Sequence, residues 1–225
     1  MGELIYNDKG LNFYCTPKCG ISSFKYMITN GIFDKVFYIK NPINVIIVRN
    51  PWDRLISFYI QKIVISKVTS FSKLNDPSLL HKSFEDFIDI LSKININNID
   101  FHLSPQSTNV EKIKFDMVIN LSNVDKEIKP LLKIVNNLDF EIKRLNNTSE
   151  KKLKINKSGS IKQKENPNYR RDIVVENAFK LKPKELLKVG IPLDYSYFYN
   201  DEIIEKVYEI YKDDINKFNF KCEYN

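Results

Sequence analysis

The chain has 225 residues, 43% hydrophobic and 12% aromatic, which suits one domain with a sizeable core and excludes general disorder. Three cysteines and two histidines exclude a disulfide scaffold and, with Cys222 far from Cys15 and Cys19, argue against a zinc site. The net charge of +7 is local: the window Lys143–Arg171 holds ten basic and two acidic residues, so the remainder is close to neutral.

LNFYC (Leu11–Cys15) is a short apolar run ending at a Thr-Pro turn and reads as a strand. Ile21–Thr29 reads as a helix stopped by Asn30-Gly31, and VFYI (Val36–Ile39) as a second strand. VIIV (Val45–Val48) is β-branched and does not alternate, the pattern of a parallel strand buried on both faces. Asn50 is a good N-cap and Pro51 suits the first helical position, before Trp52, Leu55, Ile56, Tyr59 and Ile63 at helical spacing. Ser83 and Asp86 form a capping-box start to the helix FEDFIDILSKI. MVINL (Met117–Leu121) reads as another buried strand, followed by helical spacing over Val124–Asn137. The basic window comes next. It reads either as a solvated, mobile loop at 143–171 or as a flap over an anionic ligand. Asp201–Phe218 closes the chain as one amphipathic helix.

Strands alternating with helices predict an α/β fold with a central parallel sheet flanked by helices, in one domain over residues 1–225. No run approaches the roughly 20 apolar residues of a membrane span, and the first residues do not resemble a signal peptide. A cytoplasmic or otherwise soluble protein is the expectation.

Parallel sheets bind ligands beyond the carboxyl ends of their strands. Thr16–Ser23 (TPKCGISS) leaves the first strand and enters a helix. Free N–H groups there, with Lys18 and Gly20, suit an anion, although short Lys-Gly-Ser turns also arise without a ligand. The loop is too short for the G-x-x-x-x-G-K-[ST] pattern of nucleotide triphosphatases. Arg49 leaves VIIV, and Arg54 and Ser57 share one face of the next helix. Arg49 and Ser57 can converge on one phosphate; alternatively, Arg49 pairs with Asp53.

Strand–PKxG–Ser–helix followed by strand–RxPxxRxxSxY–helix resembles the paired signature of sulfotransferases that use 3′-phosphoadenosine 5′-phosphosulfate (PAPS), and most of all the carbohydrate (Golgi-type) family. FHLSPQ (Phe101–Gln106) resembles that family's His-x-x-Pro-Gln stretch, and MVINLSNVDKEI its next strand and helix. VYEIYKDDINKFNF resembles its closing helix, and RLNNTSEKK a polar segment near the donor. The resemblance implies a P-loop-like three-layer fold. It implies a donor site of Pro17, Lys18, Cys19, Gly20, Ile21, Ser22 and Ser23 around the 5′-phosphosulfate. Arg49 and Ser57 are then at the 3′-phosphate, Lys18 at the bridging oxygen, and no metal takes part. The implied partner is a hydroxyl-bearing acceptor, a glycan by family, with no nucleic acid.

The acceptor needs a general base. His102 is the first candidate, against a structural role as donor to a backbone carbonyl, with Glu85, Asp86 and Asp100 as alternatives. His81 reads as a surface residue. Cys19 reads either as small buried packing or as a thiol of lowered pKa beside Lys18. Two other classes compete. One is a P-loop-like small-molecule kinase, which the short loop opposes. The other is a basic nucleic-acid-binding protein, opposed by a basic window whose one interleaved aromatic is Tyr169.

Overall fold

The computed structural model describes residues 3–8, 11–19, 42–71, 74–136, 153–155, 161–163 and 172–224. The expected helix at 21–29 and strand at 36–39 lie outside these, as does most of the basic window. The main sheet has four strands in the order β1 (Glu3–Asp8), β2 (Leu11–Cys15), β3 (Ile43–Val48) and β4 (Met117–Asn120). β2, β3 and β4 run parallel, with Cys15 opposite Ile47 and Val48 opposite Asn120. Their carboxyl ends therefore share one edge of the sheet. β1 pairs antiparallel with β2, so the α/β expectation holds but the sheet is mixed.

β3 explains why the sheet has a core on each face. Val45 and Ile47 pack with Leu11, Phe13, Ile119, and Val124 and Ile128 of α3 (Val124–Asn136). Ile46 and Val48 point the other way, into a larger core shared with α1 (Pro51–Phe58), α2 (Phe84–Ser92) and α5 (Asp201–Ile210). Four consecutive buried β-branched residues are what a centrally placed parallel strand requires. β4 departs from its expected burial. Ile119 is buried but Val118 is 45% exposed, because β4 has β3 as its one neighbour among the described strands.

The helix signals act as read. Asn50 caps α1 by accepting from the Trp52 N–H, with Pro51 at the first position. α1 runs on into a π-helical segment, Tyr59–Ile65, where the Ser66 N–H reaches back to the Gln61 carbonyl. Such wide turns often occur at functional sites, and this one carries Lys62. Ser83 and Asp86 make the reciprocal capping box of α2, at 3.1 and 3.0 Å. After α4 (Pro183–Val189), the expected single helix Asp201–Phe218 is two, α5 and α6 (Lys212–Phe218), broken at Tyr211. The Tyr211 hydroxyl donates to the Leu103 carbonyl at 2.9 Å, and beyond the break Asp214 is fully buried. In the basic window, Leu153–Ile155 pairs antiparallel with Ile161–Gln163, so those residues form a ribbon and not irregular chain.

Removing the Ser83 hydroxyl leaves the Asp86 N–H without its cap. Ser83→Ala is expected to cost about 0.5–2 kcal/mol, seen as a lower urea midpoint at unchanged slope.

Candidate active site

Two strand ends and one loop meet at the shared edge. β2 ends in Cys15, and the Cys19 N–H closes a turn onto the Thr16 carbonyl at 3.1 Å. Within that turn Lys18 is left-handed, at φ 70°, a conformation uncommon for a residue with a Cβ. Neighbours hold the turn: Arg49 Nη1 donates to the Lys18 carbonyl at 3.5 Å, and Arg54 Nε to the Pro17 carbonyl at 3.3 Å. The carbonyls of the turn thus face two guanidiniums from β3 and α1. Gly20, Ile21, Ser22 and Ser23 lie outside the described residues.

Arg54 does more than share a helix face with Ser57. It is 2% exposed, and its Nη2 donates to the carbonyls of Ser104 at 2.9 Å and Phe101 at 3.4 Å. It therefore ties the Lys18 turn to the loop 100–107. Its Nη1 is buried with no acceptor among the described residues. Arg49 is half-buried. Burial disfavours its charge, but Tyr195, which hydrogen-bonds to it, together with Asp53 and Cys19, outweighs that and raises its pKa. Asp53 itself accepts from the Tyr224 hydroxyl. Ser57 is buried on α1, and no hydrogen bond joins it to Arg49 among the described residues.

The loop 100–107 brings His102 and Gln106 to the same edge. His102 Nδ1 lies 2.8 Å from Asp100 Oδ1, which also accepts from the His102 backbone N–H. A carboxylate only accepts, so Nδ1 carries the proton and Nε2 keeps its lone pair. Burial lowers the His102 pKa against the raising effect of Asp100, and the cations Lys62 and Lys18 lower it further. Lys18 is thus close enough to be felt by the imidazole. Of the alternative bases, Asp86 is occupied as the cap of α2 and Asp100 is engaged with His102. Glu85 lies half-buried in the first turn of α2. His81 is exposed, at the end of a short 3-10 turn.

Gln106 is fully buried among polar groups. Its Oε1 accepts from the Thr16 hydroxyl, the Cys19 thiol and the Arg49 N–H, each at 3.0 Å. Its Nε2 donates to the Arg49 carbonyl at 2.9 Å and to Asp214 Oδ2 at 3.3 Å. Asp214 also accepts from the N–H groups of Gln106 and Ser107, both at 2.7 Å. Neither residue stood out by type in the sequence. Asp214 had a signal: with Val207, Tyr211 and Ile215 it sits on the apolar face of a helical pattern, where an acid demands buried donors.

Electrostatically the site suits an anion. Lys18 and Lys62 act on His102, and Arg49 and Arg54 on Cys19. The carboxylates nearby are engaged: Asp53 by Tyr224, Asp100 by His102, and Asp214 by Gln106 and Ser107. A cleft of about 360 Å³ opens beside Val48, Asn50 and Asn120 at the same sheet edge. Among the described residues, no group of three or more His, Cys, Asp or Glu is placed to hold a metal. No helix among them is long and apolar enough to cross a membrane.

A family model described as the sulfotransferase family matches residues 33–221. The chain belongs to that family. The matched span takes in Arg49, Arg54, Ser57, His102, Gln106 and Asp214, and begins beyond the Lys18 turn. No curated protein and no solved structure matches the chain.

The structure decides between the two readings of Cys19. Its thiol is fully buried, and burial raises its pKa despite the nearby guanidiniums of Arg54 and Arg49. It is a packing and hydrogen-bonding group, not an activated thiolate. Native-state alkylation at neutral pH should therefore modify the half-exposed Cys222 first and spare Cys15 and Cys19, with all three labelled once the chain is unfolded. Mass mapping of the labelled peptides checks this.

Proposed function

We propose that the protein moves a sulfuryl group from PAPS to a hydroxyl of an acceptor, a carbohydrate in the first instance, on a P-loop-like scaffold. One observation carries the reading: in a sulfotransferase-family chain, Arg49 from the end of β3 grips the Lys18 turn at the end of β2. That contact supports reading two strand ends that suit phosphates singly as one site. The guanidiniums of Arg49 and Arg54 beside the turn, and the buried Arg54 Nη1 with no acceptor among the described residues, support an anionic ligand there.

In this reading Arg49 and Ser57 hold the 3′-phosphate. The loop of Pro17, Lys18, Cys19, Gly20, Ile21, Ser22 and Ser23 cradles the 5′-phosphosulfate. PAPS supplies a sulfuryl group already activated by its phosphate leaving group. The acceptor oxygen bonds to sulfur while the sulfur–oxygen bond to the phosphate breaks. The electron pair of that bond goes to the phosphate oxygen, where the Lys18 ammonium meets the developing charge. The acceptor proton passes to His102 Nε2, and the Asp100 carboxylate holds the ring and stabilises the imidazolium. Phe101 supports a sugar acceptor. The residue is 57% exposed and its ring lies 4.0 Å, centroid to centroid, from that of His102, an apolar surface for the C–H face of a sugar.

Adenosine 3′,5′-bisphosphate is expected to raise the melting temperature well beyond 5′-AMP. The added charge-assisted contact is worth about 1.5–3 kcal/mol, and Arg49→Ala should remove most of the difference. Equal shifts from the two nucleotides in the wild type would remove the 3′-phosphate assignment.

His102→Ala should lower turnover about 10²–10⁴-fold with nucleotide affinity near wild type. Because the imidazole pKa is lowered from 6.5, the neutral base persists below that pH. The acidic limb of kcat/KM should then fall below pH 6.5 and vanish in the variant. Lys18→Ala should cut the rate more than it weakens nucleotide binding, the mark of a group acting on transition-state charge. A limb above pH 6.5, or normal turnover in either variant, contradicts these roles.

A further inference from the structure

The Gln106 amide is bonded in a way that packing does not require. It pairs with both the N–H and the carbonyl of Arg49, at 3.0 and 2.9 Å, as a neighbouring strand would at the end of β3. The same oxygen takes the Thr16 hydroxyl and the Cys19 thiol from the Lys18 turn. One planar group therefore spans the two segments. Its orientation is set from a third direction. The Asp214 carboxylate, which can only accept, holds the Nε2 side at 3.3 Å and the Gln106 backbone N–H at 2.7 Å. Gln106 and Asp214 are both fully buried, and the bonds to Thr16, Cys19 and Asp214 are made away from water, where an unmade one is costly.

We propose that Gln106 is a positioning residue whose amide sets the span between the Lys18 turn and Arg49, with Asp214 of α6 holding the amide in register. The inference rests on the reading above, in which those two segments hold the two phosphates of one nucleotide. A ligand with two phosphates binds as a bivalent one, and its advantage over either half depends on the half-sites keeping the correct separation. Gln106 touches neither half-site's charged groups, so its loss should leave each half-site able to bind and remove the advantage of having both.

The test compares Gln106→Leu with the wild type by calorimetry against adenosine 3′,5′-bisphosphate, 5′-AMP and 3′-AMP. The wild type should bind the bisphosphate more tightly than either monophosphate. The variant should lose about tenfold or more for the bisphosphate, within the range of coupling between groups in one network, and less than about threefold for each monophosphate. A purely structural glutamine would weaken all three alike, or none, and either pattern overturns the proposal. A wild type with no preference for the bisphosphate overturns the sulfotransfer reading itself, whatever the variant does. Should Gln106→Leu fail to fold, Thr16→Val removes one of the two turn-side donors and leaves the Cys19 thiol and the bonds to Arg49 in place. It should show the same selective loss at smaller amplitude, and an equal loss for all three nucleotides in Thr16→Val again overturns the proposal.

Discussion

A carboxylate taken out of water must find donors, and the donors that Asp214 finds organise the whole site edge. It accepts two backbone N–H groups at 2.7 Å from consecutive residues, Gln106 and Ser107. That pins the loop 100–107 against the closing helices. With the backbone of Gln106 fixed, its side chain reaches the end of β3 and the Lys18 turn. A residue close to the end of the chain in sequence thus governs how two N-terminal segments stand to one another. Charge-assisted bonds of this kind contribute more than neutral ones, and leaving either side unmade costs more still.

The sheet supplies the rigid part. Parallel register aligns the ends of β2, β3 and β4, and β3 buried on both faces gives the platform a core above and below. The segments leaving that platform carry the polar groups. Arg54 sits at the border between the two regimes: its stem belongs to the core of α1, while its guanidinium clamps the carbonyls of Pro17, Phe101 and Ser104. Loops held by a scaffold in this way can be polar and still hold fixed positions.

Charge at the site is arranged by pairing off the acids. Asp53, Asp100 and Asp214 each have a hydrogen-bond donor of their own, while Arg49 and Arg54 turn their guanidiniums onto backbone carbonyls. The result is a positive edge beside an imidazole of lowered pKa. Such a combination favours anionic ligands and keeps a base neutral at slightly acidic pH.

Local patterns carried much of the fold. The VIIV strand, the Asn50-Pro51 helix start and the Ser83–Asp86 box depend on residues within a few positions of one another, and their physics is complete in the sequence. The Lys18 turn and Arg49 were expected at strand ends of one parallel sheet, and both do follow neighbouring parallel strands. Other features were not legible. β1 and the exposed side of β4 depend on which strand lies beside which. The break at Tyr211 depends on a carbonyl 108 residues away. Cys19 could not be assigned by type, because its pKa follows from burial that only packing supplies. Gln106 stood in a quoted motif with no role, because an amide has no charge or chemistry to mark it. Its role arises from five hydrogen bonds to three segments, which the chain brings together only when it folds.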